Sequence, residues 1–261
     1  MAAELKPVPP REAIAALFER GGRLDPSFAW QDVWQDTHAS MFTVAKSAGF
    51  DILSDIYAAL VDALANGTTL RQFGAELTPA LQAKGWWGKQ PAFDPVSGDT
   101  TWSQLGSTRR LGIMFDVNMR VSYAAGHWAS FERSKAARPF LRYVHLEGQE
   151  FPRLQHHLWH NTVLPVDHPW WNTHACPNGW NCHCTLQSLS QRDIDRLQRE
   201  GELLKFEPVP GTMRKYVNNR TGEVTMVPDG IDPGWAYNPG KAGFSMIENG
   251  MKAKMAQPIE R

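Results

Sequence analysis

The sequence predicts an α+β chain, mainly helical in its N-terminal part, followed by a small irregular, partly β C-terminal unit rich in Cys, His and Trp. Three observations carry this. Apolar residues recur at spacings of three and four through much of 50–134, which places them on one helix face. Beyond 138 the pattern shortens to brief runs at 138–146, 185–189 and 224–227 with Pro, Gly or Asn between them, as expected of short strands. All three cysteines lie between Cys176 and Cys184, among histidines and tryptophans.

Taken in order, an arm and a short helix occupy 1–27, and a helix is expected over 30–46. Ile52, Ile56, Leu60 and Leu64 make the buried face of the next helix. Asn66-Gly67 stops it, because both residues tolerate the left-handed backbone that ends helices. Thr69 with Gln72 forms a capping box, and Leu70, Phe73, Leu77 and Leu81 are the stripe of the helix it opens. Two such helices joined by a short link predict an antiparallel pair. Gly85-Trp86-Trp87-Gly88 then opens a loop to about 101. Ser107 caps a long helix to about 134, striped by Met114, Val117, Val121, Ala125, Trp128 and Phe131.

The second half reads as a strand over 138–146, with Phe140, Arg142, Val144 and Leu146 on one side. A short helix follows at 153–160, and the Pro, Asn, Asp and Gly of 165–180 predict ordered loop. A strand at 185–189, a polar helix at 190–199 and a hairpin around Asn218-Asn219-Arg220-Thr221-Gly222 complete the regular structure. It is expected to fade beyond Pro228. The organisation predicted is therefore an arm and short helix (1–27), a helical region (28–134), a Cys/His and hairpin region (135–245) and a tail (246–261).

The chain has 261 residues with 27 basic and 27 acidic side chains, so no global field draws it to nucleic acid or an anionic membrane. A local patch of Arg109, Arg110, Arg120, Lys135, Arg138 and Arg142 faces phosphate or forms a solvated helix face. The first eleven residues are polar and Pro-rich, unlike a signal peptide, and no apolar run approaches membrane-span length. Synthesis in the cytoplasm is expected. Trp159, Trp170, Trp171, Trp180 and Trp235, from a total of eleven Trp, fill a loop-rich core or serve an interface.

An odd, tightly spaced set of cysteines makes no secreted disulfide framework. Cys182 and Cys184, two apart on extended chain, project to the same side and can reach one ion. Cys176 lies across a Pro-Asn-Gly turn, and His156 and His160 are four apart on the expected short helix. A Cys2His2 or Cys3His zinc site is stereochemically available from Cys176, Cys182, Cys184, His156 and His160. It would staple a region lacking a large core of its own. The alternative is buried, unligated thiols with hydrogen-bonded histidines.

The same stretch carries a family resemblance. Arg153 to His156 forms an Arg-x-x-His element, Asp167 to Trp171 an Asp-x-Pro-Trp-Trp element, and Pro177-Asn178-Gly179-Trp180-Asn181-Cys182-His183-Cys184 a third. Their order resembles the head-morphogenesis domain of phage Mu F-like minor head proteins. Phe42-Thr43-Val44-Ala45-Lys46, Gly85-Trp86-Trp87-Gly88 and Gln104-Leu105-Gly106-Ser107 extend the likeness upstream, and Pro233-Gly234-Trp235-Ala236-Tyr237-Asn238-Pro239-Gly240 downstream. Two positions depart from the family pattern: His183 replaces a usual Arg, and Cys176 a common Pro.

The resemblance implies a minor capsid protein of a Mu-like phage or prophage, acting in prohead assembly or DNA packaging. Its implied partners are the portal and major capsid proteins, with packaged DNA contacted in some relatives. Its implied place is the host cytoplasm during assembly and then the virion head. No Gly-rich phosphate loop, His-Glu-x-x-His or Gly-x-Ser-x-Gly occurs, so no enzyme activity is expected. The competing reading is a zinc- or cysteine-dependent nuclease or hydrolase, or a toxin-like module.

Overall fold

A computed structural model describes residues 9–47, 49–146 and 153–255. The start of the expected N-terminal arm (1–8) and the end of the expected tail (256–261) lie outside the described residues. The elements are α1 (Arg11–Gly21), a 3-10 turn (Trp30–Asp32), α2 (Thr37–Ser40), α3 (Phe50–Asn66), α4 (Leu70–Ala83), β1 (Lys89–Phe93), β2 (Thr100–Gln104) and α5 (Thr108–Ser134). Then come β3 (Phe140–Val144), α6 (Leu154–Trp159), β4 (Val163–Pro165), α7 (Trp171–His174), β5 (Thr185–Leu189), α8 (Gln191–Arg199), β6 (Met213–Val217), β7 (Val224–Pro228) and α9 (Pro239–Met255). The fold is α+β, as the periodicity predicts.

The helix-end chemistry of the first half forms as read. Gly67 closes α3 in the left-handed region at φ 69°. The Thr69 hydroxyl accepts from the Gln72 backbone N–H while Gln72 Oε1 accepts from that of Thr69, and the Ser107 hydroxyl accepts from the Arg110 N–H. Leu53, Ile56, Leu60, Phe73, Leu81 and Leu111 bury one core between α1, α3, α4 and the start of α5. A second core joins Val121, Trp128 and Phe131 of α5 to Leu141, Tyr143, Trp159, Trp171, Ile231 and Trp235. Helix α5 thus runs through both, which ties the helical half to the Cys-rich half.

β3 is the middle strand of an antiparallel sheet of order β4-β3-β5, in which Leu141 faces Leu164 on one side and Ser188 on the other. β1–β2 and β6–β7 are separate antiparallel hairpins.

Several expectations need correcting, among them the loop over 165–180, which contains the one-turn helix α7, and Leu70 of the α4 stripe, which is exposed. The helix expected over 30–46 reduces to the 3-10 turn and α2. Trp30 and Trp34 stack on each other and pack against Tyr216, while Phe42 and Val44 are buried at strand-like spacing. Backbone bridges Leu24↔Phe42 and Ser27↔Ala45 hold the segment extended. The loop expected over 85–101 contains β1 and leads into β2, hidden from pattern reading because nearly all their side chains face solvent. The strand expected over 138–146 ends at Val144, and the residues it turns into the core are Leu141 and Tyr143, both fully buried.

The largest correction is α9, in a region expected to lose regular structure. Pro239 and Gly240 read as breakers, yet Pro is well suited to the first helical position, where its missing N–H is no loss. Gly240 and Gly243 bring α9 against α5: a Cβ at Gly240 would sit 2.7 Å from the Ala124 carbonyl oxygen, and one at Gly243 2.7 Å from Ala125 Cβ. Among the described residues, no helix is long and apolar enough to cross a membrane.

Candidate metal centre

The Arg-x-x-His element sits at the start of α6. Arg153 donates to both carboxylate oxygens of Asp232, at 2.7 and 2.8 Å, and to the Trp180 carbonyl at 2.9 Å. Asp232 also accepts the Trp180 backbone N–H at 2.9 Å. A Cβ at Gly179 would stand 2.3 Å from an Asp232 carboxylate oxygen, so only glycine lets the loop close over this clamp. The fully buried Asn178 accepts from the Tyr143 hydroxyl at 3.0 Å and donates to the Ala175 carbonyl at 3.2 Å. These bonds account for most of the Pro-Asn-Gly-Trp stretch as loop architecture.

Held this way, the loop delivers Cys182 and Cys184 to one imidazole. His156 Nδ1 lies 3.7 Å from Cys182 Sγ and 3.5 Å from Cys184 Sγ. The ligand atoms of His156, Cys182 and Cys184 lie within 4.8 Å of one another, and all three residues are buried. With Zn–S near 2.3 Å and Zn–N near 2.0 Å, the S···N edge of a tetrahedral site is about 3.5 Å. Both observed edges match.

The His156 tautomer is also set. Its Nε2 lies 2.8 Å from the Gly230 carbonyl oxygen, which only accepts, so Nε2 carries the proton and Nδ1 presents a lone pair to the sulfurs. Metal-bound histidines are oriented by such outer hydrogen bonds. Gly230 can reach the ring because it is in the left-handed region at φ 86°, packed so closely that a Cβ would meet Gln155 Cβ at 2.6 Å. Trp159 stacks on His156 with centroids 4.8 Å apart, and Tyr143 packs edge-on at 6.3 Å.

The two thiols are shifted in opposite directions: the hydrogen bond from Cys182 lowers Cys184, while the same bond, with burial, raises Cys182. The lowered sulfur favours the thiolate, the form that binds metal. Burial raises Cys176 well above the usual thiol range.

Of the five ligand candidates read from the sequence, His156, Cys182 and Cys184 come together. Cys176 and His160 stand outside that group. The i, i+4 argument for His160 assumed one continuous helix, but α6 stops at Trp159, leaving His160 as its C-cap. Its Nδ1 instead accepts the backbone N–H of His145 at 3.1 Å. His145, which pattern reading passed over, is buried with Nδ1 3.4 Å from Cys184 Sγ. Gly230 and Asp232 were missed as well; they lie three and one residues before the Pro233-Gly234-Trp235 motif.

Of the six cations weighed as a phosphate-facing patch or a solvated face, five have partners within the chain. Arg110 donates to the carbonyls of Gln104, Leu105 and Ala45. Arg120 pairs with Asp116, Lys135 with Asp167, Arg138 with Asp193 and Arg142 with Glu202, leaving Arg109 as the exposed member. His183, the family departure, lies 3.6 Å from Asp116. A cleft of about 360 Å³ beside α5 runs past Cys176, Cys182 and Cys184 and provides a path from solvent to the thiols.

A family model described as phage Mu protein F-like matches residues 54–187. The chain is 35% identical, over 251 residues, to protein F of Escherichia phage Mu, which is named for capsid assembly; the match covers 91% of this chain and 55% of that protein. It is 32% identical over 230 residues to the FluMu F protein of a Mu-like prophage in Haemophilus influenzae, covering 82% of this chain and 53% of the relative. The chain thus spans about half the length of the curated relatives it matches. No solved structure matches it.

Proposed function

Because this chain belongs to the phage Mu protein F-like family, we propose that it is a minor head protein acting in prohead assembly or DNA packaging. The observation that supports this is the breadth of the likeness to a protein named for capsid assembly, which runs through almost the whole chain. Its partners are the portal and major capsid proteins, met in the host cytoplasm and retained in the virion head. A direct hold on packaged DNA is disfavoured by the internal pairing of five of the six candidate cations.

The role is structural, not catalytic. A hydrolase built on Cys184 and His156 would need its base within reach of substrate, whereas His156 is 1% exposed beneath Trp159. Deleting the gene from an inducible prophage should give defective or DNA-poor heads. Normal infectious particles, with a purified chain that modifies a substrate, would overturn the reading.

Within that role we propose that His156, Cys182 and Cys184 hold a structural Zn²⁺. Two S···N separations near the tetrahedral edge and one oriented imidazole support it. The ion would tie α6 to the Cys loop beside the long connections of the second core, so its binding energy would be felt as folding energy. Elemental analysis of protein purified without chelators tests this, with one zinc per chain expected. Metal-free protein whose stability is indifferent to a chelator would end the proposal.

A further inference from the structure

Two sulfurs and one imidazole leave a tetrahedral ion one corner short. That corner decides the character of the site: a fourth protein ligand closes it as a structural centre, and water leaves it open to chemistry. We infer that His145 is the fourth ligand, completing a closed Cys2His2 zinc site; this rests on the zinc reading proposed above.

His145 follows directly from β3, the central strand of its sheet. It is 8% exposed, and its Nδ1 lies 3.4 Å from Cys184 Sγ. This is a third S···N separation at the tetrahedral edge of about 3.5 Å. His145 lies outside the tighter group of three, so closure requires its ring to swing toward the other ligands while its backbone stays put. His160 holds that backbone, since its Nδ1 accepts the His145 N–H at 3.1 Å. His160 is therefore a positioning residue for the ligand.

The other neighbours serve less well. The Tyr143 hydroxyl donates to Asn178, and Cys176 stands outside the group of three. With His145 included, the ion would join the end of β3, helix α6 and the Cys loop, reinforcing the β3–β5 ladder that pairs Val144 with Thr185 and the Arg153 clamp.

The test uses the full chain loaded with Zn²⁺ or with Co²⁺ as a spectroscopic probe. The wild type should bind one ion with the intense visible bands of tetrahedral cobalt. His145→Ala should weaken binding by at least about tenfold, the loss expected when a supporting group of a metal site is removed. Its cobalt bands should lose intensity as water enters, and added imidazole should restore them. His145→Cys keeps a ligand in place, so it should bind tightly with thiolate-to-cobalt charge transfer raised by about half, three sulfurs replacing two. Cys176→Ser should leave affinity and spectrum unchanged.

If Cys182→Ser abolishes binding while both His145 variants match the wild type in affinity and spectrum, the fourth-ligand assignment is wrong and the zinc reading survives. A spectral change on Cys176→Ser with none on His145→Ala would transfer the corner to Cys176. If the wild type binds neither ion, both proposals fall.

Discussion

Arg153 and Asp232 meet in a two-pronged ion pair across 79 residues of sequence. Both are partly buried, with side-chain exposures of 30% and 23%. The pair joins the helix carrying His156 to the loop whose Gly230 carbonyl orients the same imidazole. Two parallel charge-assisted bonds are stronger and more directional than a single one, and removing one partner strands the other. Arg153→Met and Asp232→Asn should each cost about 2–3 kcal/mol, below the loss seen for fully buried pairs because water still reaches both groups. Urea unfolding of the double variant should fall short of the sum by about 1 kcal/mol or more. Strict additivity would show that the contact is not felt.

Cys182→Ser removes a proposed metal ligand. A structural zinc contributes folding energy outright, so a loss of at least about 3 kcal/mol is expected, about 6–12 °C in Tm for a chain of this size. A strong chelator should lower the wild type similarly and leave Cys182→Ser unmoved. Were the chelator to act equally on both proteins, its effect would not come from this site.

Glycine substitutions on two helices should have opposite signs. Gly240→Ala places a methyl 2.7 Å from the Ala124 carbonyl oxygen and 3.2 Å from Trp128 Cβ. Backbone cannot yield cheaply there, so α9 must shift off α5 at a cost of about 1–3 kcal/mol. Gly112 lies within α5, where an added Cβ meets nothing nearer than Leu70 Cδ2 at 3.8 Å. Gly112→Ala should stabilise by about 0.5–1 kcal/mol, the ordinary gain of alanine over glycine inside a helix. Thermal melts of the two variants moving in the same direction would contradict this packing.

Acid should loosen the link between the two exposed hairpins. Arg220 donates to both oxygens of Asp94, at 2.6 and 3.0 Å, and to Asp32 at 2.6 Å. The hydrogen bonds from Arg220 hold the Asp94 carboxyl down from 3.8 to about 2. A depressed folded-state value means the stabilisation is fully present above about pH 4 and is lost as the pH falls through 2. Asp94→Asn should therefore lose less stability than the wild type across that window. Parallel urea midpoints at each pH would remove Asp94 from the account.

Cleavage in the link after α5 should not yield two independent bodies. Trp128 and Phe131 belong to the second core, beside Leu141, Tyr143 and Trp159. Leaving them uncovered would forfeit about 1.5–3 kcal/mol each. Limited proteolysis at 135–137 should leave fragments that co-elute and unfold together. Two separately stable fragments would mean that α5 does not bridge the cores.

What the sequence determined by itself was local. Gly67, the Thr69–Gln72 box and the Ser107 cap act within one turn of chain, so their positions could be read directly and the helices end where those residues place them. The Cys/His/Trp segment also announced its family through residue type and order. Only the tertiary structure decided which residues meet. It drew 30–46 out of the helix its pattern suggested, since stacking on Tyr216 and burial of Phe42 outweigh a modest propensity. It made α9 from a stretch beginning Pro-Gly, because two glycines there fit the surface of a helix more than a hundred residues earlier. It also set His160 to hold a backbone and brought His145 to Cys184. Spacing along a chain fixes which side chains share a face only while the element continues. α6 ends one residue before His160, and beyond that point the partner is chosen by the sheet and the loop packed against it.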